Sequence, residues 1–409
     1  MIREVLRSLI CAAMCLTAAC SRSPSLPASS PRAPGSYFHT VHYPVWGHWV
    51  NPADIPWTDI THLNHFSGYS GLYKNPKLSM NVPPYYDPPD VYEVDARYPS
   101  YSHIGDTLRA IGHRHGVAIL IDLGTGFGWT IGQEDSMFAN WSHAVTGYIR
   151  TYNYDGADFD IEGQKNSTAQ SIGISKALHF LSDSLRALSS LTNKKYYITA
   201  DVMPRFRGED EIPPPDTLNA YCDQINLMSY DMYGSFGSPL YQDRSCGVNW
   251  CDSLALMPWI NWWGSHYGNA WKIGLGYNIQ VYHTNSTAVC PAGGFGYISN
   301  FDAEIKYFPP AAGATIGWND NVKESYMLNT SAGVKVAYED SLSTYFKAQF
   351  IMRQGAGGAM GFEVSRGFLA SPPHYFADRN IAVHGMGKAL NGESSRLRDS
   401  SRASRAGRD

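Results

Sequence analysis

The sequence predicts an α/β fold, a (β/α)₈ or TIM barrel, from three observations. Eight short β-branched or apolar runs recur along the chain, each followed by a turn-rich stretch, and segments with helical spacing fit between several of them. Strands that alternate with helices form parallel sheets, and eight such units close into a barrel. The 409 residues are enough for one large domain of this kind.

The candidate strands follow in a regular order. They are residues 40–43, 60–66, 117–123, 156–161, 196–202, 224–229, 272–275 and 358–362. Helical spacing is clearest in residues 175–191 and in Ser341–Gln354. Residues 282–338 are long and weakly patterned, so we predict an insertion there, between the seventh and eighth strands.

Composition excludes some classes of partner. The formal net charge of −4 argues against nucleic-acid binding, which needs a concentrated basic face. The aromatic share of 13% is high, and aromatic rings stack on sugars, but they also fill ordinary cores. Composition alone therefore does not decide the function.

The N-terminus resembles an export signal. Residues 1–20 combine Arg3 and Arg7 with an apolar run that is too short for a usual membrane span. The residues before Cys20 resemble a bacterial lipobox, so we predict lipidation at Cys20, with ordinary secretion as the alternative. The expected location is the bacterial cell envelope, as a lipoprotein, or the medium.

The rest of the chain divides into three parts. Residues 21–36 are rich in Ser and Pro and predict a linker. Residues 37–385 hold the predicted barrel, and residues 386–409 predict a disordered polar and basic tail.

Four cysteines lie in the predicted barrel, and export would place them in an oxidising compartment. Cys222, Cys246, Cys251 and Cys290 could form two disulfides with three possible connectivities. Cys246 and Cys251 are close enough to staple one loop. A zinc site is disfavoured because paired C-x₂-C spacing is absent and no histidine adjoins the cysteines.

Three carboxylates alternate with apolar residues in the fourth predicted strand. On a strand, this period of two puts Asp158, Asp160 and Glu162 on one face. Their mutual repulsion must raise at least one pKa, and a carboxyl group that stays protonated near neutral pH is a general acid. We assign that role to Glu162. An exposed edge strand and a calcium site are the alternatives, but the apolar neighbours predict burial and the glycine of a calcium loop is missing.

Residues 155–162 also read D-G-x-D-x-D-x-E, which resembles the acidic motif of glycoside hydrolase family 18, the chitinases and endo-β-N-acetylglucosaminidases. Further matching motifs occur in the same order along the chain. They are Tyr43-Pro44-x-Trp46, Asp54-Ile55-Pro56-Trp57, Met228-Ser229-Tyr230-Asp231 and Gly357-Gly358-Ala359-Met360. The family fold is a (β/α)₈ barrel with the acidic motif at the end of the fourth strand, in agreement with the strands identified above.

The resemblance implies a retaining, substrate-assisted mechanism. The acetamido oxygen of the sugar attacks the anomeric carbon and forms an oxazolinium ion, while Glu162 acts first as acid and then as base. On this resemblance, Asp160 would bind the acetamido N–H and Asp158 would share a proton with Asp160. Tyr230 would donate a hydrogen bond to the acetamido oxygen, and Asp231 would contact the sugar.

Other residues are expected around the sugar. The resemblance places Met228 in the pocket floor, and Phe362 stands where the family often has a Trp, which predicts weaker stacking. Among the tryptophans, Trp46 and Trp129 follow predicted strands at the ligand-binding face.

Two further departures from the family pattern concern the barrel interior. Asp122 brings a further carboxylate towards Asp158, and His42 replaces a common Tyr on the first strand. One hypothesis is that His42 and Asp122 pair with each other. The alternative is that His42 is an ordinary buried histidine.

The leading hypothesis is a chitinase-like hydrolase of β-1,4-linked N-acetylglucosamine oligomers or polymers. Alternatives are an endo-β-N-acetylglucosaminidase that acts on N-glycan chitobiose cores and a sugar-binding protein without turnover. No metal or organic cofactor is expected, and a monomer is predicted.

Overall fold

The structure is a computed structural model of the chain. It describes residues 36–44, 50–66, 104–123, 134–161, 168–204, 214–231, 236–290, 296–308, 314–371, 376 and 378–393. The export signal, Cys20 and nearly all of the predicted linker lie outside these residues. The described helices are all too short or too polar to cross a lipid bilayer.

Eight parallel strands close into a barrel, which confirms the predicted fold class. Every predicted barrel strand is present, with ends that differ by a few residues. The barrel strands are β1 (Phe38–Pro44), β2 (His62–Phe66), β3 (Ala118–Asp122), β4 (Gly156–Ile161), β5 (Tyr197–Val202), β6 (Gln224–Leu227), β7 (Ala270–Asn278) and β13 (Ala356–Phe362). Strand β1 pairs with both β2 and β13, and this pairing closes the ring.

Helices separate most of the barrel strands. Those between barrel strands are α1 (Ile104–Arg114), α2 (Asp135–Thr151), α3 (Thr168–Thr192), α4 (Pro215–Tyr221), α5 (Asp252–Tyr267) and α7 (Ser341–Gln354). Helix α6 (Phe301–Glu304) lies in the insertion between β7 and β13, and α8 (Ile381–Leu390) follows β13. The predicted helix at Ser341–Gln354 has the bounds of α7, whereas α3 is longer than predicted. Asp340 caps α7 by accepting hydrogen bonds from the Leu342 and Ser343 N–H groups.

Strand alternation separates the apolar core from a polar barrel interior. Phe159 and Ile161 are buried in the main core cluster between the strands and the helices. Thr40 lies on the opposite face of its strand and donates a hydrogen bond across the barrel to Gln224, over 2.8 Å between their side-chain oxygens. The interior of this barrel is therefore lined in part by hydrogen-bonded polar groups.

The predicted insertion between the seventh and eighth barrel strands is a second sheet. Its five antiparallel strands lie in the order β10-β11-β12-β8-β9. They are β8 (Val281–Asn285), β9 (Tyr297–Ser299), β10 (Thr315–Asn319), β11 (Glu324–Asn329) and β12 (Val334–Tyr338). Val281, Met327 and Val336 belong to a separate small hydrophobic core in this insertion.

The cysteine pairing differs from the expectation of two bridges. Cys246 forms a disulfide with Cys290, whereas Cys222 and Cys251 are buried free thiols. The proposed Cys246–Cys251 staple is therefore wrong. The real bridge spans 44 residues and connects the loop after β6 to the segment after β8, a contact that exists only in the folded chain.

The predicted tail begins too early. Helix α8 continues to Leu390, and Met386, Ala389 and Leu390 are buried against the barrel, so the boundary at residue 385 falls inside a packed helix. The short apolar face of α8 stabilises it there. The tail beyond Glu393 lies outside the described residues.

Candidate active site

Strand β4 places two of the three predicted carboxylates inside the barrel. Asp158 is fully buried and Asp160 is 9% exposed, whereas the alternating Phe159 and Ile161 face the helices. The predicted sharing of one face by the acids is thus observed for these two. Glu162 follows the last residue of β4 and lies outside the described residues.

Close packing against β5 and two contacts of Asp155 position the start of β4. A Cβ atom at Gly156 would lie 2.0 Å from the Tyr197 carbonyl oxygen, so only glycine fits there. Asp155 accepts a hydrogen bond from the Ile119 N–H at 2.8 Å and forms an ion pair with Lys194 at 2.6 Å. These contacts fix the position at which the acidic strand enters the barrel.

Asp158 has a crowded polar environment. Thr199 donates a hydrogen bond to one carboxylate oxygen, and the His42 Nε2 atom lies 3.9 Å from the other. Burial and the nearby Asp201 carboxylate raise the pKa of Asp158 to about 6, although His42 and Thr199 act in the opposite direction. Asp158 can therefore carry a proton in mildly acidic solution. Asp122 is its neighbour on β3 in the strand register and is also buried.

His42 has a partner that the sequence did not single out. Its Nε2 atom lies 2.6 Å from an oxygen of Asp201, on β5, rather than forming the hypothesised pair with Asp122. Asn226 donates a second hydrogen bond to Asp201 at 2.8 Å. Burial alone would lower the pKa of His42, but Asp201 and Asp158 outweigh it and hold that pKa well above its usual range.

A signal for Asp201 exists in the sequence. Thr199, Ala200 and Asp201 alternate on β5 as the acids alternate on β4, and Asp201 lies beside Asp160 in the register. Asp201 is an acid at an interior-facing position of the strand that follows the acidic motif, and this pattern is visible in the sequence.

Aromatic rings gather at the carboxyl ends of three strands. Phe362 ends β13 and stacks on Tyr230, with ring centroids 5.5 Å apart and ring planes 9° from parallel. Phe66 at the end of β2 meets the Phe362 ring edge-on, at 5.4 Å. His42 also lies 5.5 Å from the Phe362 ring. The structure therefore brings the predicted Phe362 and Tyr230 together.

The segment after β6 brings further predicted residues to this end of the barrel. Met228 is buried, and Asp231 has a left-handed backbone with φ of 56°. The Asp231 N–H donates to the Gly237 carbonyl at 2.9 Å, which supports this conformation. Burial raises the pKa of the Asp231 carboxyl to about 6, against the opposing charge of Arg366. The predicted Trp46 and Trp129 lie outside the described residues.

One set of described side chains has the geometry to hold a small cation. Donor atoms of His42, Asp158 and Asp201 lie within 4.8 Å of one another, and all three residues are buried. The His42 and Asp201 atoms already form a direct hydrogen bond, so each has a protein partner. This arrangement suits a proton-linked pair at least as well as a metal site.

The (β/α)₈ barrel agrees with the comparison to known proteins. The model of the glycosyl hydrolases family 18 matches residues 46–367. The chain belongs to glycosyl hydrolases family 18. The family resemblance seen in the sequence is thereby confirmed, and family 18 is a glycosidase family.

Curated relatives of this family 18 chain are distant in sequence. Chitinase A1 of Niallia circulans is 23% identical over 415 residues, which cover 83% of this chain and 58% of the relative. The matched region is thus well under two thirds of that protein. Endochitinase 1 of Metarhizium robertsii is 24% identical over 81% of this chain and 82% of its own length.

Solved structures share the fold. Chitinase ChiA74 from Bacillus thuringiensis superposes with a TM-score of 0.64 at 18% identity, over 87% of this chain and 70% of its own. Human YKL-39, described as a pseudo-chitinase with retained chitooligosaccharide binding, gives a TM-score of 0.64 at 17% identity, over 87% and 99% of the two chains. At these identities the likeness concerns the fold alone.

Proposed function

We propose that this family 18 protein is a retaining, chitinase-like hydrolase of β-1,4-linked N-acetylglucosamine. The observation that carries the proposal is the inward face of β4, where buried Asp158 and Asp160 lead directly to Glu162. A neutral carboxyl group is needed at this place to protonate the glycosidic oxygen.

The proposed mechanism uses the substrate's own acetamido group. Glu162 protonates the leaving oxygen, while the acetamido oxygen attacks the anomeric carbon and closes an oxazolinium ring. Glu162 then takes a proton from the water that opens the ring. Because ring closure and ring opening each invert the anomeric carbon, the stereochemistry is retained overall. Asp160 would hold the acetamido N–H, and Asp158, with its raised pKa, would take up or release the shared proton.

Residues from three other strands would surround the reacting sugar. The Tyr230 hydroxyl would donate to the acetamido oxygen. Phe362 would orient this hydroxyl, because it stacks on the Tyr230 ring. Asp231 and Met228 come from the same segment after β6, so they would line the same sugar subsite. Phe362 would form its floor.

Further residues are assigned to the rest of the cleft. We place Asp122 beside the acidic cluster because it adjoins Asp158 in the register. Trp46 and Trp129 would form more distant sugar subsites, because each follows a barrel strand at the carboxyl end.

Two other functions share this site. An endo-β-N-acetylglucosaminidase would use the same acids on the chitobiose core of N-glycans. A binding protein without turnover is the second, because a protein of the same fold, YKL-39, is described as a pseudo-chitinase with retained chitooligosaccharide binding. The intact D-G-x-D-x-D-x-E motif, with Glu162 present, favours catalysis over binding alone.

We further propose that the protein is exported and tethered by a lipid on Cys20, and that it acts as a monomer. The apolar run before Cys20 and the Ser- and Pro-rich residues after it support the tether. Incorporation of labelled palmitate into the wild type but not into Cys20→Ser would test the anchor.

The deciding experiment compares wild type with Glu162→Gln on chitotriose, chitotetraose and a high-mannose N-glycan. We expect wild type to cut the chito-oligomers with retention, and the variant to lose at least about a thousandfold in kcat, because the amide cannot donate the proton. Glu134→Gln, an exposed acid before α2, is the matched control and should keep full activity.

Other outcomes would redirect the proposal. Release of the N-glycan with chito-oligomers left intact would move the substrate to the endo-β-N-acetylglucosaminidase class. Binding of chito-oligomers without cleavage by wild type would establish the binding function instead.

A further inference from the structure

A buried histidine–aspartate pair lies inside the barrel, beneath the proposed sugar site. The His42 Nε2 atom is 2.6 Å from Asp201 and 3.9 Å from Asp158, and these side chains are 0%, 2% and 0% exposed. The same imidazole ring lies 5.5 Å from Phe362. His42 thus lies close to both Asp158 and Phe362, the proposed floor of the sugar site.

The surroundings of the imidazole are rich in carboxylates. Strand β4 contributes Asp158 and Asp160, β5 contributes Asp201, and β3 contributes Asp122, all placed together by the register. The other described contacts of the ring are with uncharged groups, the Asn64 amide on β2 and the rings of Phe66 and Phe362. Several buried carboxylates so close together favour a compensating positive charge.

We propose that His42 and Asp201 are positioning residues for the hydrolysis, in which Asp201 holds His42 as an imidazolium whose charge keeps Asp158 fixed and able to ionise beside Asp160. This inference rests on the proposed function. The pair acts through Asp158 and does not itself touch the substrate. It adds two residues to those implied by the acidic motif.

The hydrogen bonds give the pair a defined geometry. Asp201 receives His42 on one oxygen and the Asn226 amide, at 2.8 Å, on the other. Thr199 donates to the Asp158 oxygen that faces away from His42. Asp201 is therefore held by hydrogen bonds on both oxygens. Asp158 is held by Thr199 on one oxygen and faces His42 at 3.9 Å with the other, so loss of His42 would remove a hydrogen bond from Asp201 and a nearby positive charge from Asp158.

The competing state is a neutral imidazole with its proton on Nε2, which would still donate to Asp201. Nitrogen chemical shifts of the imidazole distinguish the two states, whatever the substrate is. We expect the His42 signal, assigned by its loss in His42→Gln, to report an imidazolium at pH 7. A neutral ring at pH 7 would overturn the proposal.

Enzyme kinetics test the effect on Asp158. In His42→Gln we expect kcat to fall about tenfold or more with KM within about twofold, because the proton shared by Asp158 and Asp160 is misplaced. The acidic limb of the kcat profile should move to higher pH, by about half a pH unit or more, since a positive charge that favours ionised Asp158 is gone. Asp201→Asn should lower the pH at which His42 loses its proton.

His39→Gln is the matched control. His39 lies on the same strand but on the opposite face, where it bonds to the Tyr277 hydroxyl at 2.8 Å, and burial lowers its pKa to about 4. This variant should lose stability and keep the wild-type pH profile. Equal changes in the two variants would mean that His42 has only a structural role, and the proposal would fail.

The outcomes separate this inference from the proposed function. If wild type cuts chito-oligomers and His42→Gln keeps its acidic limb, the positioning role fails alone. If wild type cuts no N-acetylglucosamine substrate, the proposed function fails, and the positioning role falls with it even where the nitrogen shifts report an imidazolium. Should His42→Gln not fold, the test is Asp201→Asn read by the imidazole nitrogen shifts, because loss of the Asp201 carboxylate also lowers the pKa of Asp158 directly and confuses the kinetic profile. A His42 ring that keeps its proton over the same pH range as in wild type would overturn the proposal.

Discussion

Tyr230 and Phe362 form a rigid aromatic pair at the site. Their parallel stack fixes the plane of the Tyr230 ring, and Phe66 supports Phe362 from the side. A hydroxyl on a ring held in this way is preorganised, so it loses little entropy when it binds a developing charge. The stack and the hydroxyl therefore have separable effects.

Tyr230→Phe keeps the ring and removes only the hydroxyl. We expect kcat on chitotetraose to fall by about tenfold to a thousandfold, because a preorganised donor to the acetamido oxygen is lost. The melting temperature should stay close to that of wild type. Full activity of Tyr230→Phe would contradict the assigned role.

Phe362→Leu is the companion variant, because it removes the stack and keeps the hydroxyl. It should raise KM more than Tyr230→Phe does, since the sugar loses its floor and the Tyr230 ring loses its support. The two variants together separate stacking from hydrogen bonding.

The sequence predicted some site residues and missed others for a clear reason. Asp158 and Asp160 could be predicted because they lie on one strand, where every second residue faces the same side. Asp201 pairs with His42 across the barrel, between β1 and β5, and this contact arises only when the ring of strands closes. The sequence therefore led to the wrong partner for His42.

At the scale of elements, the barrel strands were predictable and the inserted sheet was not. Barrel strands are buried on both faces and give short apolar runs. In the insertion, edge strand β10 has exposed and half-exposed residues throughout, so its pattern is weak. The Cys246–Cys290 bridge could not be predicted either, because the two cysteines meet only after the insertion folds.

Buried charges connect the insertion to the barrel helices. Lys347 on α7 lies 2.7 Å from Glu339, which follows β12, and 3.7 Å from Asp252 at the start of α5. Glu339 also accepts a hydrogen bond from Ser238 at 2.6 Å. All of these charged side chains are at most 1% exposed. Removal of one partner would leave buried, uncompensated charge.

Lys347→Met should therefore be strongly destabilising. We expect a loss of about 3 kcal/mol or more in the free energy of unfolding, because two acids would lose their cation in a dry environment. Urea titration with circular dichroism measures it. The control is Lys176→Met, which removes an exposed ion pair with Asp135 at 2.8 Å and should cost less than about 1 kcal/mol. Similar losses of unfolding free energy in both variants would contradict the expected difference between buried and exposed ion pairs.

At the scale of the whole molecule, several histidines are buried as neutral groups. Burial lowers the pKa of His39 and of His62 to about 4, and that of His65 to about 3. His65 bonds to the Tyr154 hydroxyl at 2.8 Å, and the Arg109 guanidinium lies over the Tyr154 ring. A protonated His65 would thus lie in a buried place near a positive charge.

This burial has a definite consequence for stability. A group whose pKa is lower in the folded chain contributes stability above its unfolded pKa, near 6.5, and loses it as pH falls towards the folded value. Buried acids with raised pKa values, such as Glu324 at about 8, act with the opposite sign. A single substitution is needed to isolate the histidine contribution from theirs.

His65→Gln isolates it, because the buried acids are common to both proteins. We expect the melting temperature of wild type to fall more steeply than that of the variant between pH 6.5 and 4. The contribution of His65 lost over this range is about 3 kcal/mol, since a tenfold difference in proton affinity between the folded and unfolded chain corresponds to about 1.4 kcal/mol. His266→Gln, at an exposed position on α5, should leave the wild-type slope unchanged. Parallel slopes for wild type and His65→Gln would show that the pKa of His65 is the same in the folded and unfolded chains, and acid sensitivity would then have to arise from another group.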